Sequence, residues 1–196
     1  MGLTQKGRSR TWVDDHGWWV IVVEFQPLGY SVGSYLNVGA CWLWQPRSED
    51  ASLHFDEGHR VQHSFTAFES EQQFLAAATG LAETASQEVL ALRERFDSPG
   101  AAVSLLERKA RDQPTDPRTG WNLAMGLALA GRVDDARSIA RRDRPAGRYE
   151  WVVDLQGELA RLGAMSDDDL RAAPTANIAT ARASLRLDPW DATSQR

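Results

Sequence analysis

Cysteine is almost absent from this sequence, and long apolar runs are absent altogether. Cys41 is its only cysteine, so neither an intrachain disulfide nor a metal site built from cysteine thiolates can form. No apolar run approaches the roughly 20 residues that span a bilayer. The first ten residues, MGLTQKGRSR, lack the apolar core of a signal peptide. These absences predict a cytoplasmic protein that does not associate with a membrane.

Lysine is nearly as scarce as cysteine. The 22 basic residues comprise 20 arginines and two lysines, against 27 acidic residues, for a net charge of −5. General nucleic-acid binding usually needs a basic surface, so a nucleic-acid partner is not favoured. Phosphate loops, dinucleotide fingerprints and paired-histidine protease motifs are missing too, and the sequence therefore predicts no cofactor.

What is present divides into two parts, at residues 1–97 and 98–196. The first part holds five of the eight tryptophans and all four histidines, and its charges sum to −6. The second part is rich in alanine, leucine and arginine at helical spacing, and its charges sum to +1. The change in composition predicts an α+β domain followed by a helical domain.

Strand patterns dominate the first part. Trp18–Gln26 is β-branched and aromatic, and both of its alternating sets are largely apolar, which is typical of a central strand covered on both faces. Three other strands are expected, followed by a long helix from about Glu71 to Phe96 that begins with a capping box of Ser70 and Gln73. The weaker strands are Arg8–Val13, Tyr35–Trp44 and Arg60–Phe65. A mainly antiparallel sheet of about four strands with one long helix results.

The second part shows only helical patterns. Ser98 before Pro99 favours a helix start, and Gly131 and Gly163 suit helix ends. Helices are expected at about Pro99–Asp112, Arg118–Ala130, Val133–Arg142, Tyr149–Leu162, Ser166–Ala172 and Ala176–Leu187.

Within residues 99–144, the second part resembles a tetratricopeptide repeat. Leu123, Ala124 and Leu127 match the first helix of that repeat, and Ala136 and Ala140 match its second helix, where small residues let the two helices touch. The resemblance implies a helical hairpin that binds a protein or peptide; a plain helical hairpin is the alternative.

The first part resembles an uncharacterised bacterial family, the domain of unknown function numbered four-three-zero-four. The residues that carry this resemblance are Gly2-Leu3, Lys6-Gly7-Arg8, Trp12, the Trp19–Gln26 strand, Tyr35–Gly39, and Phe68, Ser70 and Gln73. The resemblance implies a small α+β domain without an established activity. It also implies a helix before Gly2; either the true start lies upstream of Met1, or this helix has been lost.

Two motifs suggest enzyme chemistry. Gly29-Tyr-Ser31-Val-Gly33 matches a nucleophile elbow, but a strand is expected after it where the elbow needs a helix, so we interpret it as a turn. The second motif offers side chains that bind zinc or iron in a metal-dependent hydrolase: His54, Asp56, Glu57, His59 and His63. On a strand, however, His59 and His63 would lie roughly 13 Å apart.

Two further features suggest binding. The Arg132–Arg148 segment is rich in arginine, and Arg137 and Arg141, one helical turn apart, could hold a phosphate or an acidic partner. A solvated helix face is the alternative. Tryptophans on strands are normally buried, but an uncovered ring of Trp18, Trp19 or Trp121 would contact a partner.

Asp14-Asp15-His16 gathers two carboxylates and an imidazole between two expected strands. We interpret the segment as a hairpin turn in which Gly17 adopts a positive φ, Asp14 bonds the backbone two residues on, and His16 points into solvent.

The sequence as a whole predicts a non-enzymatic interaction protein that binds a protein or peptide through its helical hairpins or an aromatic sheet face. A metal-dependent enzyme using the His54–His63 segment is the alternative, and a phosphate or nucleic-acid binder using Arg132–Arg148 is the third hypothesis.

Overall fold

The computed structural model describes residues 2–27, 32–46, 55–61 and 65–191. These residues form two compact units. The sheet unit contains the described residues of 2–43 and 55–94, and the helical unit contains those of 44–46 and 95–191. Residues 44–46, which the sequence assigns to the first part, thus fall in the helical unit. The predicted α+β class is confirmed.

An antiparallel sheet forms the body of the sheet unit. The described residues contain six strands: β1 (Thr4–Gln5), β2 (Thr11–Asp15), β3 (Trp19–Pro27), β4 (Gly33–Trp42), β5 (Glu57–Arg60) and β6 (Thr66–Ala67). The strand order in the sheet is β1-β2-β3-β4-β5, and β6 also lies beside β4. Of the strand expected at Arg60–Phe65, only Arg60 lies in a strand, as the last residue of β5, while Val61 and Phe65 do not and residues 62–64 lie outside the described residues.

β3 is a central strand, as predicted. It pairs with β2 on one side and with β4 on the other, and its residues from Trp19 to Val23 are all buried. Successive side chains of a strand point to opposite faces, so this unbroken run means that both faces are covered here. Toward Glu24 the strand becomes half-exposed and then exposed.

The long helix α1 (Glu71–Arg95) closes the sheet unit. Ser70 Oγ accepts the Gln73 backbone N–H at 3.2 Å, which is half of the predicted capping box. The buried residues of α1 are Ala85, Val89 and Leu92, toward its C-terminal end.

The helical unit contains five helices in its described residues: α2 (Pro99–Asp112), α3 (Pro117–Leu129), α4 (Val133–Ala140), α5 (Glu150–Ala164) and α6 (Asp167–Leu185). Ser98 caps α2 and Asp116 caps α3, each followed by a proline at the first position, where a missing N–H costs nothing. The two helices expected around Pro174 are a single one, α6. A proline inside a helix removes one backbone hydrogen bond. The helix continues through Pro174 because this residue is buried and packs within the helical unit.

Trp44 lies in the core of the helical unit, in a cage of polar groups. Its indole N–H donates to Asn122 Oδ1 at 2.9 Å, and its carbonyl accepts from the Trp121 indole at 3.3 Å and from Asn177 Nδ2 at 3.0 Å. The sequence predicts Trp44 as the last residue of the strand Tyr35–Trp44, but β4 ends at Trp42. Trp44 instead fixes residues 44–46 among the helices.

Asn122→Leu is expected to lower the free energy of unfolding of the helical unit by about 1–3 kcal/mol, the cost of removing a partner from buried polar groups. Leucine keeps most of the volume but removes the acceptor for the Trp44 indole and for Gln45 Nε2. Urea unfolding followed by circular dichroism would measure the change. A wild-type midpoint for the variant would show that this acceptor contributes nothing.

Candidate binding surfaces

The three tryptophans predicted to contact a partner lie in the core. Trp18 and Trp19 are each 1% exposed, and Trp121 is 2% exposed. Trp18 stacks on Trp42 with ring centroids 5.5 Å apart, and Trp19 lies against the same ring at 6.1 Å. Rings this deeply buried present almost no surface to a partner, so binding is not proposed at these positions.

Asp14 and Asp15 are the last two residues of β2, and the hairpin turn begins at His16, with a buried ion pair beside it. Gly17 has the predicted positive φ. The bond to the backbone two residues on is made by Asp15, whose Oδ1 accepts the Gly17 N–H at 2.9 Å, and not by Asp14, because the N–H of His16 donates to the carbonyl of Trp19 at 3.0 Å. Asp14 is 4% exposed and accepts from Arg93 Nε and from His16 Nε2, both at 2.8 Å. His16 is half-buried and stacks on Trp19. The prediction that His16 points into solvent is wrong, because Asp14 and Trp19 hold its ring.

The described part of the histidine segment forms no metal centre. Glu57 and His59 lie in β5, and Asp56 Oδ2 accepts the backbone N–H of Trp42 at 2.8 Å. His54 and His63 lie outside the described residues. Among the residues that are described, no three His, Cys, Asp or Glu side chains are grouped closely enough to hold a metal ion.

Arg137 and Arg141 hold the connection between α5 and α6. Arg141 Nε donates to the carbonyl of Gly163 at 2.8 Å, and Arg137 donates to the carbonyl of Met165 and to Asp167. Cations at a helix C-terminus are stabilising because they satisfy its last carbonyl groups. Both side chains thus have structural contacts, which the sequence could not distinguish from contacts to a partner.

A groove of about 380 Å³ lies between α2, α3 and α4, and we call it the α2–α4 groove. Its floor is apolar and consists of Ala110, Leu123, Leu127 and Ile139. Its rim is charged, with Glu107, Arg111, Arg132, Asp135, Ser138 and Arg142. Four of its ten lining residues are apolar and six are polar or charged, and its volume falls in the usual range of binding sites, about 300–1,000 Å³.

The rim arginines of the α2–α4 groove differ in their partners. Arg132 bridges Glu107 and Asp135, each at 2.8 Å. The hydrogen bond to Asp135 raises the pKa of its guanidinium most, and the hydrogen bond to Glu107 raises it further. Arg111 and Arg142 are exposed, and their guanidinium groups have no hydrogen-bond or ion-pair partner within the described part of the chain. Two cations are therefore available to a ligand in the groove.

A second cavity, of about 480 Å³, lies beside the turn that follows α4, and we call it the arginine pocket. Arg141, Arg142 and Arg144 line it together with Asp143 and Gln156. Leu159, Ala160 and Gly163 of α5 form its opposite wall. Arg142 borders both this pocket and the α2–α4 groove.

Sequence reasoning singled out the arginine-rich segment but missed Arg111, which lies 31 positions before Arg142. Only the packing of α2 against α3 and of α3 against α4 brings these two residues to one groove. Arg111 alone looks like an ordinary basic residue in the last turn of α2.

Comparison with known proteins gives no functional assignment: neither the protein-family models, nor the curated proteins, nor the solved structures contain a significant match to this chain. The helices formed by the described residues are all too short or too polar to cross a membrane.

Proposed function

We propose that this protein is a non-enzymatic interaction protein that binds an acidic segment of a partner protein in the α2–α4 groove. The observation that carries the proposal is the pair of available guanidinium groups, those of Arg111 and Arg142, above an apolar floor. The proposal includes a cytoplasmic location in a bacterium and a tetratricopeptide-like character of α3 and α4, which pack against each other.

Charge complementarity favours an acidic partner. Arg132 is already neutralised by Glu107 and Asp135, so Arg111 and Arg142 are the unsatisfied charges of the rim. Guanidinium groups bind carboxylates through two parallel hydrogen bonds, which fixes orientation as well as affinity. A peptide carrying Asp or Glu supplies that group.

The rim of the α2–α4 groove, and not its floor, offers contacts to a partner. Leu127 is 2% exposed and Ile139 is 7% exposed, so the floor leaves little apolar area for a ligand to cover. Recognition in the groove therefore depends on the charged side chains of the rim.

Selection of peptides that bind the purified protein, from a displayed library of random short peptides, tests this proposal. We expect the selected peptides to be enriched in Asp or Glu. Arg111→Gln is expected to weaken their binding about tenfold, since a hydrogen bond to a charged group contributes about 1.5–3 kcal/mol. Fluorescence anisotropy of a labelled selected peptide measures the dissociation constant.

Arg148→Gln is the matched control, because Arg148 is exposed, lies outside the groove and loses the same charge. It should change the dissociation constant less than twofold. Selected peptides without acidic residues, or equal binding to the Arg111→Gln and Arg148→Gln variants, would contradict the proposal.

The metal-dependent enzyme of the sequence analysis stays a hypothesis. Two of its five residues lie outside the described part of the chain, and Asp56 already bonds a backbone N–H. No observation on the described residues favours it.

A further inference from the structure

We infer that the arginine pocket is a binding site for a phosphate monoester with an apolar body. The site is the pocket beside the turn after α4, and the α2–α4 groove is a different cavity. Within the segment Arg132–Arg148, the proposed phosphate site is therefore confined to one cavity and one class of ligand.

The pocket concentrates positive charge in an acidic protein. Arg141, Arg142 and Arg144 line it against the single carboxylate of Asp143, for a formal charge of +2, whereas the whole chain carries −5. A phosphate monoester carries about −1.5 to −2 at pH 7. The charge of the pocket therefore matches that of the proposed ligand.

Two of the three guanidinium groups are held in place before any ligand arrives. Arg144 Nη2 donates to the carbonyl of Ile139 at 3.0 Å, and its Nη1 donates to the carbonyl of Arg142 at 2.9 Å. Arg141 is held through its Nε by Gly163 at 2.8 Å. A preorganised cation loses little side-chain entropy on binding, which favours affinity.

The positive charge of Arg144 is incompletely compensated. Burial lowers the pKa of its guanidinium, the positive charge of Arg142 lowers it further, and Asp116 acts in the opposite direction. Its Nε is buried and has no hydrogen-bond partner among the described residues. An anion in the pocket would stabilise this cation.

Gly120 of α3 makes room for Arg144. A Cβ atom at Gly120 would lie 2.2 Å from Arg144 Nη2 and 2.9 Å from its Cζ. An alanine there would displace the guanidinium, a mobile side-chain end, without changing the charge of the protein. Gly120→Ala therefore distinguishes binding that requires the Arg144 guanidinium in this position from binding that requires only positive charge.

The wall formed by the exposed Ala160 and Ala164 favours a ligand that is more than inorganic phosphate. A pocket of about 480 Å³ exceeds what a phosphate group alone fills. An aromatic or aliphatic body on the phosphate would cover this wall, and for that reason phenyl phosphate is a suitable probe.

Isothermal titration of the full chain with phenyl phosphate, at ionic strength held constant with KCl, tests the inference. We expect saturable one-to-one binding that is at least tenfold weaker in Arg144→Gln and in Gly120→Ala. Inorganic phosphate should bind more weakly than phenyl phosphate. Two control variants, Arg148→Gln and Arg111→Gln, should bind within twofold of the wild type, because neither residue lines the pocket.

Circular dichroism verifies that each variant is folded. Arg141→Gln serves as the second variant should Arg144→Gln fail to fold. The inference is overturned by an absence of saturable heat up to about 10 mM phenyl phosphate, or by equal weakening in Arg144→Gln and Arg148→Gln. It is also overturned if Gly120→Ala binds as the wild type does. Since Arg111→Gln affects only the α2–α4 groove, failure here is distinct from failure of the proposed function.

Discussion

Trp19→Ala is expected to lower the free energy of unfolding of the sheet unit by about 3–5 kcal/mol, the usual cost of truncating a buried tryptophan. Trp19 is 1% exposed, and its ring lies between the half-buried His16 and the indole of Trp42. Alanine removes these contacts and leaves a cavity that the two-sided packing around β3 cannot close. Urea unfolding followed by circular dichroism measures the loss.

Trp151→Ala is the matched control for Trp19→Ala. Trp151 is half-exposed on α5, where the Arg118 guanidinium lies 5.5 Å from its ring centroid. Its truncation should change the free energy of unfolding by less than about 1 kcal/mol. Equal losses in the two variants would mean that burial does not distinguish these residues. Wild-type stability of Trp19→Ala would return Trp19 to the candidates for partner binding.

Arg93→Met is expected to destabilise the sheet unit by about 3 kcal/mol, near the lower end of the range for breaking a buried ion pair. Arg93 Nε donates to Asp14 Oδ2 at 2.8 Å, and Arg93 Nη2 forms an ion pair with the same oxygen at 2.7 Å. Methionine preserves the length of the side chain but leaves the buried carboxylate with His16 alone. Hydrogen exchange of peptides from β2 and from the end of α1 should accelerate.

The double variant Asp14→Asn/Arg93→Met tests whether the charge is the cause. An amide at position 14 carries no charge that needs a cation. The double variant should therefore lose less unfolding free energy than the two single variants lose in sum. A double variant whose loss equals that sum would show that the two residues act independently.

Features set by neighbours in the sequence could be predicted from it. The caps at Ser70 and Ser98 and the positive φ of Gly17 depend on a few adjacent residues, and the starts of α1 and α2 follow from them. β3 could be assigned to the centre of the sheet because apolar residues on both faces need cover on both faces. One local error, at Pro174, arose because tertiary packing overrode the expected helix break.

Features set by distant residues could not be predicted. Asp14 and Arg93 are 79 positions apart, and nothing near Asp14 shows that a cation lies above it. The same holds for Arg144, whose fixed position depends on the lack of a side chain at Gly120. Composition could point to the arginines, but only the packed helices show which are already bonded and which are available.

The position of Trp44 means that the helical unit is not a single continuous stretch of chain. Residues 44–46 precede the rest of that unit by about fifty positions, and they supply the carbonyl that Trp121 and Asn177 bond. A fragment that starts at residue 95 would carry all five helices and still lack the centre of their polar cage. If the five helices are to fold as a unit in another protein, residues 44–46 must therefore be transferred together with them.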